Sequence, residues 1–358
     1  MSLEHISPEV ILFFILYGIT GVVPFMAAVY LLLRRGNAFA PGVTPPVRLR
    51  CWTVSFFIVA TLGHVWWYLF YIYSCDIHSA CYVAVAVVDC VMLLTTIAGT
   101  LLAMLQDRRR PVWPAFAAMI PFVALGVLQI LFPEMSFMGI ATVYILSIYV
   151  LFSVYMVFAV RQYGRWLNDN YADLENKKVW LSQTVSLVCL LLFILYVLVA
   201  DIVLMYFLHI TELLLFGLLL WRVETLPQLP TLAQQQPVAP ANIDLAQIER
   251  LLAEHCVATQ FYLQHDLTLQ QLAQAVGTNR SYLSQYFSRQ GITYNTYINN
   301  LRINHFITRY QELTAAGQSI GAQQLSRESG YRSYSTFSMA FKQRTGQAVR
   351  VWTRESVE

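Results

Sequence analysis

The sequence is poor in charged residues, which excludes a chain made only of ordinary soluble domains. Only 12% of its 358 residues are Asp, Glu, Lys or Arg, whereas 57% are hydrophobic and the mean hydropathy is +0.53. Soluble globular domains carry roughly 25% charged residues. The composition therefore indicates a membrane protein, while the net charge of +3 decides nothing alone.

Several residue types and motifs that would point to catalysis are also absent. No lysine occurs before Lys177, so no lysine lies within an apolar segment and a retinal Schiff base is excluded. The polar C-terminal part has neither a GxxxxGK[ST] phosphate loop nor a GxGxxG turn. It also shows no Ser/His/Asp or Cys/His grouping. We therefore expect a protein that is not an enzyme and needs no cofactor.

The six cysteines form no CxxC pair and no zinc-binding spacing, so no metal is expected from these patterns. Cys75 and Cys81 flank a short loop that we place outside the membrane. An oxidising compartment would allow a disulfide between them. Sequence alone leaves that bond open, because the bond requires a specific geometry.

Seven apolar segments occur before residue 223, each near the ~20 residues that a helix needs to cross a bilayer. We predict a membrane domain over residues 1–222, with helices at residues 10–33, 52–73, 81–105, 112–132, 136–160, 179–199 and 202–221.

The basic residues of this domain predict its orientation. All of them follow segment 1, 3, 5 or 7: Arg34, Arg35, Arg48, Arg50, Arg108, Arg109, Arg110, Arg161, Arg165, Lys177, Lys178 and Arg222. By the positive-inside rule, the N-terminus is outside and the C-terminal part is in the cytoplasm.

Four ionisable residues fall inside the apolar segments at broadly similar depth: His64, Asp89, His209 and Glu212. Such residues are costly in a membrane. One interpretation is a site for a ligand, proton or ion that serves as a signal. The other is that these side chains only join helices through polar contacts.

A stretch rich in Pro and Gln, residues 223–241, predicts a linker. A domain of residues 242–358 follows. Its first helix is expected to begin near Asn242 or Asp244, with one apolar face formed by Ile248, Leu251, Leu252 and Cys256.

This last domain contains the same unit twice. LAQAVGTNRSYLSQYF begins at Leu272, and LSRESGYRSYSTFSMAF begins at Leu325. Each copy predicts a helix, a glycine turn at Gly277 or Gly330, and a second helix, which is a helix-turn-helix. Thr268 and Gln271 form a capping-box pattern, and Asn279 is a favourable N-cap.

The second helix of each copy has an inward and an outward face. Tyr282, Leu283, Tyr286 and Phe287 are expected to pack inward in the first copy, as are Phe337 and Phe341 in the second. The outward residues suit contacts with bases and phosphates: Arg280, Ser281, Ser284, Gln285, Arg289, Arg332, Ser333, Tyr334, Ser335, Ser338, Met339 and Lys342.

The motifs SYLSQYF, GITYNTYINNLRINH and GYRSYSTFSMAFKQRTG resemble the DNA-binding domain of the AraC/XylS family of bacterial transcription regulators. The resemblance implies two recognition helices in successive major-groove segments. Base contacts would then come from Arg280, Ser281, Ser284 and Gln285, and from Tyr334, Ser335, Ser338 and Met339. This sequence departs from the family pattern at Ser326 and Ser329, among other positions.

The expected fold class is therefore all-α, a seven-transmembrane helical bundle followed by a cytoplasmic AraC-type double helix-turn-helix domain. We expect a one-component transcription regulator in the bacterial inner membrane. Its partners would be double-stranded promoter DNA, the lipid bilayer and a small-molecule or membrane-derived signal, and a homodimer stays open. The alternatives are a transporter or channel with a protein-binding tail, and an intramembrane enzyme.

Overall fold

The computed structural model describes residues 8–34, 44–73, 79–199, 202–229, 245–318 and 321–355. Within these ranges the chain forms α-helices and no β-strand. The predicted all-α class is therefore confirmed.

Each of the seven apolar segments is a helix: α1 Pro8–Leu33, α2 Val47–Ile72, α3 Ala80–Ala103, α4 Trp113–Leu131, α5 Phe137–Asn170, α6 Trp180–Val199 and α7 Ile202–Thr225. Six of them are long and apolar enough to cross a membrane, by length and composition; α6, taken over Trp180–Leu195, is a shorter apolar helix. Large apolar side chains such as Phe158 and Leu214 lie on the surface, 64% and 63% exposed. So much exposed apolar surface is compatible with a lipid environment.

Helices α2 and α5 extend furthest beyond their predicted boundaries. Helix α2 begins at Val47, directly after its N-cap residue Pro46, and the charged Arg48 and Arg50 do not prevent helix formation. Helix α5 continues to Asn170, ten residues past its predicted end. The polar continuation RQYGRWLNDN contains no proline, so nothing in it forces the helix to end.

The residues that follow α1, α3 and α7 meet at one end of the bundle. The side-chain nitrogen of Gln106 donates to the Pro227 carbonyl at 3.0 Å. Its side-chain oxygen accepts from the backbone amide of Leu229 at 2.9 Å. The Gln228 amide donates to the Thr44 carbonyl at 2.8 Å. The connections that follow α1, α3 and α7 therefore lie at the same end of the helical bundle.

The chain divides into two compact units. The first contains Met1–Tyr163 and Val179–Pro230, and the second contains Gly164–Lys178 and Thr231–Glu358. The end of α5 and the turn after it thus belong to the C-terminal unit, which the sequence analysis did not anticipate. Residues 230–244, which include most of the predicted linker, lie outside the described residues.

Residues 245–355 of the C-terminal unit form short helices and one longer helix, α11. They are α8 Leu245–Leu252, α9 Leu269–Ala275, α10 Arg280–Arg289, α11 Tyr294–Ala315, α12 Ala322–Glu328, α13 Tyr334–Thr345 and α14 Val349–Glu355. Helix α8 continues into a π-helical turn, Ala253–Val257. Its predicted apolar face is confirmed, because Ile248, Leu252 and Cys256 are buried and Leu251 packs against them.

Two apolar cores fill this unit, and α11 contributes to both. Its Ile298 lies in the first core, with residues of α8, α9 and α10. Its Phe306 lies in the second core, with Phe337 and Phe341 of α13. At ~1.5 Å per residue, the 22 residues of α11 are about 33 Å long. This helix therefore connects the two helix-turn-helix units.

Candidate functional site

The first helix-turn-helix has the local structure that its sequence predicts. The Thr268 hydroxyl accepts a hydrogen bond from the Gln271 amide, and the Gln271 side chain accepts from the Thr268 amide, which completes the capping box. Gly277 turns the chain at φ +73°, a conformation that costs glycine little. The Asn279 side chain caps α10 by accepting from the Tyr282 amide at 2.9 Å.

Helix α10 separates its residues into the two predicted faces. Leu283, Tyr286 and Phe287 are buried, and Tyr282 packs partly against them. Arg280 is partly buried. The polar residues on the other side are exposed: Ser281, Ser284, Gln285 and Arg289. Hydroxyl, amide and guanidinium side chains such as these can form hydrogen bonds with base edges.

The second helix-turn-helix is held against the segment before the first one. Gly330 has φ +89°, and a Cβ atom there would lie 2.7 Å from the Leu263 carbonyl oxygen. Only glycine therefore fits this turn. Ser333 then caps α13 by accepting from the Thr336 amide.

On α13, Phe337 and Phe341 are fully buried, as predicted. Arg332, Ser335, Met339 and Lys342 are exposed, and Ser333 and Ser338 are partly buried. Tyr334 is also partly buried and packs against the second core, with its ring 5.8 Å from that of Phe337. Tyr334 therefore has a packing role that the sequence analysis did not assign.

The two polar departures from the family pattern are accommodated by local hydrogen bonds. Ser326 and Ser329 are completely buried. The Ser326 hydroxyl donates to the Gln323 carbonyl at 2.8 Å, and the Ser329 hydroxyl donates to the Leu325 carbonyl at 2.8 Å. Because both hydroxyls are satisfied, neither leaves an unpaired polar group in the helix.

Arg302 lies between the two cores and is 1% exposed. Its guanidinium donates to the carbonyls of Tyr262 at 2.8 Å and His265 at 3.3 Å, and also to that of Gln264. It also sits over the ring of Tyr331, with 5.5 Å between Cζ and the ring centroid. Burial lowers the pKa of Arg302, but arginine remains charged at neutral pH. The sequence analysis missed this residue, because a lone arginine in a helix carries no pattern.

The end of α5 contacts α10, the first of the two predicted recognition helices. The Arg280 guanidinium donates through Nε to the Asn170 side-chain oxygen at 2.8 Å. Asn295 donates to the carbonyls of Tyr171 and Ala172 at 3.0 and 2.7 Å. Burial lowers the pKa of Arg280, a shift opposed by Tyr171 and Asp169. A residue expected to contact bases is thus bonded within the protein.

The turn after α5 also joins the hydrophobic core and the second recognition helix. Ala172 is buried in the first core, and its amide donates to the Leu267 carbonyl at 3.1 Å. The Thr336 hydroxyl donates to the Glu175 carboxylate at 3.4 Å. We name residues 164–178 the docking segment. Its contacts reach both helix-turn-helix units.

Charged residues add to the contacts of the docking segment. Lys177 lies 3.6 Å from a carboxylate oxygen of Asp266, whose other oxygen accepts from Arg332. Arg332, another predicted DNA-binding residue, is therefore also paired, although it is exposed.

In the N-terminal unit, three of the four ionisable residues come together. Glu212 Oε2 lies 3.3 Å from His209 Nδ1 and 3.7 Å from His64 Nε2. Thr20 of α1 completes the group, with its hydroxyl oxygen 3.0 Å from His64 Nε2 and 3.3 Å from His209 Nδ1. We name Thr20, His64, His209 and Glu212 the polar cluster.

Asp89, the fourth ionisable residue, does not belong to this group. Its Oδ2 atom accepts from the Trp67 indole at 2.9 Å. Its Oδ1 atom is buried without a hydrogen-bond partner among the described residues and faces the backbone at Gly63. The structure therefore separates the acid on α3 from the acid on α7.

The possible disulfide between Cys75 and Cys81 cannot be placed, because Cys75 lies outside the described residues. Cys81 is exposed near the start of α3. Whether the two cysteines are bonded therefore stays open.

Residues 272–355 match the family model described as a helix-turn-helix domain, which is of the AraC type. The chain thus carries this domain, and the resemblance noted in its sequence is confirmed. The match supports a DNA-binding transcription regulator. No curated protein and no solved structure matches the chain.

Proposed function

We propose that this protein is a one-component transcription regulator anchored in the bacterial inner membrane. Helices α1–α7 would span the membrane, and the C-terminal unit would bind promoter DNA in the cytoplasm. The observation that carries the proposal is an AraC-type helix-turn-helix domain in the same chain as a set of long apolar helices.

The orientation is supported by where the basic residues lie. Arg48 follows α1 in the sequence, and Arg110 follows α3. In the folded bundle, the Arg48 side chain donates to the Arg110 carbonyl, so these two connections are adjacent. Basic connections at one end favour the cytoplasmic side for that end. The same side would hold the DNA-binding unit.

The DNA-binding role is supported by the two exposed helix faces. The first presents Ser281, Ser284 and Gln285, and the second presents Ser335, Met339 and Lys342. With α11 about 33 Å long between them, the units suit two major-groove segments separated by one duplex turn of ~34 Å. One chain would then contact both segments.

The docking segment would couple the membrane domain to DNA binding. It includes the last residues of α5, and it bonds Arg280 through Asn170. While Arg280 Nε is bonded to Asn170, this nitrogen is not available for a base. A signal that displaces the docking segment would release this side chain, so the docked form would bind DNA more weakly.

The experiment that tests the function uses the full chain in lipid nanodiscs. Selection from random duplexes should enrich a sequence with two conserved blocks about one helical turn apart. A substitution of Ser284 and Gln285 to alanine should abolish the first block only. If no duplex is enriched, the C-terminal unit does not recognise DNA. The alternative of a transporter or channel with a protein-binding tail is then favoured.

A further inference from the structure

We propose that His64, His209 and Glu212 bind one divalent transition-metal ion of the zinc class inside the helical bundle. Thr20 or a water molecule would occupy the fourth position. The binding of this ion does not depend on the proposed DNA recognition, so either proposal can fail without the other.

The distances among the cluster atoms match a tetrahedral coordination sphere. Ligand bonds of ~2.0–2.1 Å around zinc place neighbouring ligand atoms ~3.3–3.4 Å apart. The four separations available here are 3.0 and 3.3 Å from Thr20 to the two histidines, and 3.3 and 3.7 Å from Glu212 to the same nitrogens. The ligand atoms of His64, His209 and Glu212 all lie within 4.8 Å of one another.

The hydrogen-bond arrangement leaves several lone pairs facing one another. His64 Nδ1 lies 2.9 Å from the Ala60 carbonyl, to which only a protonated nitrogen can donate. In neutral His64, Nε2 is then an acceptor. The Thr20 hydroxyl lies 3.0 Å from the carbonyls of Leu16 and Tyr17, which take its single hydrogen. Lone pairs of Thr20, His64 and Glu212 therefore converge, and a cation satisfies them together.

The hydrogen bond from His64 Nδ1 to the Ala60 carbonyl is also of the kind that orients a metal-binding histidine. Metal-binding histidines usually donate their other ring nitrogen to a carbonyl or a carboxylate, which fixes the tautomer. His209 Nε2 is buried without a hydrogen-bond partner among the described residues. No hydrogen bond at Nε2 fixes the orientation of the His209 ring. A bond from Nδ1 to a metal ion would fix it instead.

Burial and charge favour a divalent transition metal over other cations. The side chains of His64, His209 and Glu212 are 13%, 6% and 20% exposed. A carboxylate in an apolar bundle requires a positive partner. Two imidazole nitrogens and one carboxylate suit zinc and its neighbours, whereas magnesium and calcium prefer oxygen ligands.

This inference revises the expectation of no metal, which rested on local spacing. His209 and Glu212 are three residues apart on α7, but His64 is contributed by α2. No sequence spacing reveals a ligand that another helix supplies. Only the packing of α1, α2 and α7 brings these atoms together.

The test measures metal binding by the full chain, purified in nanodiscs with a tag that contains no histidine. After dialysis against Zn²⁺ and removal of excess ion, elemental analysis should find about one zinc per chain. Co²⁺ should give the visible absorption of a tetrahedral site. Glu212→Gln and His209→Ala should each weaken Zn²⁺ binding by at least tenfold. Asp89→Asn, a buried carboxylate outside the cluster, is the matched control and should bind as the wild type does.

A ligand replacement keeps the test valid if the other variants fold poorly. His64→Cys supplies a thiolate, so its Co²⁺ form should gain an intense sulfur-to-metal absorption band. A purely structural cluster would not produce this band. The proposal is overturned if the wild type retains no zinc or cobalt, as expected when a shared proton alone joins these side chains. Unchanged zinc affinity in both Glu212→Gln and His209→Ala would also overturn it.

Discussion

At the scale of single residues, the two proposed recognition helices, α10 and α13, differ in chemistry. Gln285 on α10 is exposed and has both a donor and an acceptor, so it can pair with an adenine edge through two hydrogen bonds. Met339 on α13 is 67% exposed and offers only apolar contact, for example to a thymine methyl. We therefore expect the first helix to specify bases more strictly than the second.

Replacing Gln285 by alanine should relax base preference at one position of the first DNA block. A bidentate contact to adenine contributes ~1–3 kcal/mol of discrimination. The measurement is a binding selection with wild-type and variant chains. Ser288→Ala, an exposed change at the far end of the same helix, is the control. An unaltered base preference in Gln285→Ala would remove this residue from the contact surface.

Replacing Lys342 by alanine should have a different effect, because we expect this lysine, in the last turn of α13, to contact phosphate. Affinity for all sequences should fall alike, and the slope of log affinity against log salt should become shallower by about one. Titrations of one target duplex and one unrelated duplex at several salt concentrations measure both quantities. A loss confined to the target duplex would instead indicate that Lys342 contacts a base.

At the scale of elements, local patterns and distant contacts were not equally predictable. The capping box at Thr268 and the turn at Gly277 depend on neighbours within a few residues, so the sequence predicted them correctly. The bond from Arg280 to Asn170 joins residues 110 apart and was missed. The extension of α5 to Asn170 was also missed, because its polar residues do not continue the apolar segment from which the helix was predicted.

The docking segment leads to a prediction about affinity. A hydrogen bond to a charged group contributes about 1.5–3 kcal/mol. Asn170→Ala should free Arg280 and strengthen the binding of the full chain to its target duplex about tenfold, a change of ~1.4 kcal/mol. Fluorescence anisotropy with the chain in nanodiscs measures this change.

Asn168→Ala provides the matched control for the docking segment. The Asn168 side chain bonds to the Gly164 carbonyl within α5. Its loss should leave DNA affinity unchanged. If Asn170→Ala binds DNA as the wild type does or more weakly, the segment does not restrain the recognition helix, and the coupling proposal fails.

At the scale of the whole molecule, composition and periodicity predicted seven helices and a double helix-turn-helix. They did so because hydrophobic length and period are local properties of a chain. The polar cluster was predicted only in part. Its three ionisable members were identified by their cost in a membrane, whereas Thr20 resembled any other threonine in a helix. Asp89 was grouped with them by depth, and depth does not specify the direction in which a side chain points.

The orientation of the membrane domain gives the last prediction. A reporter that is active only in the cytoplasm should work when fused after Arg110 or Lys178, and should be inactive when fused after Ser79 or Met135. The reason is that basic residues are retained on the cytoplasmic side during insertion. The two inactive positions should instead be active with a reporter that requires the outer compartment, which controls for poor expression. The opposite pattern would place α10 and α13 outside the cytoplasm, where they could not reach DNA. The proposal of a transcription regulator would then be wrong, and the C-terminal unit would have a different role.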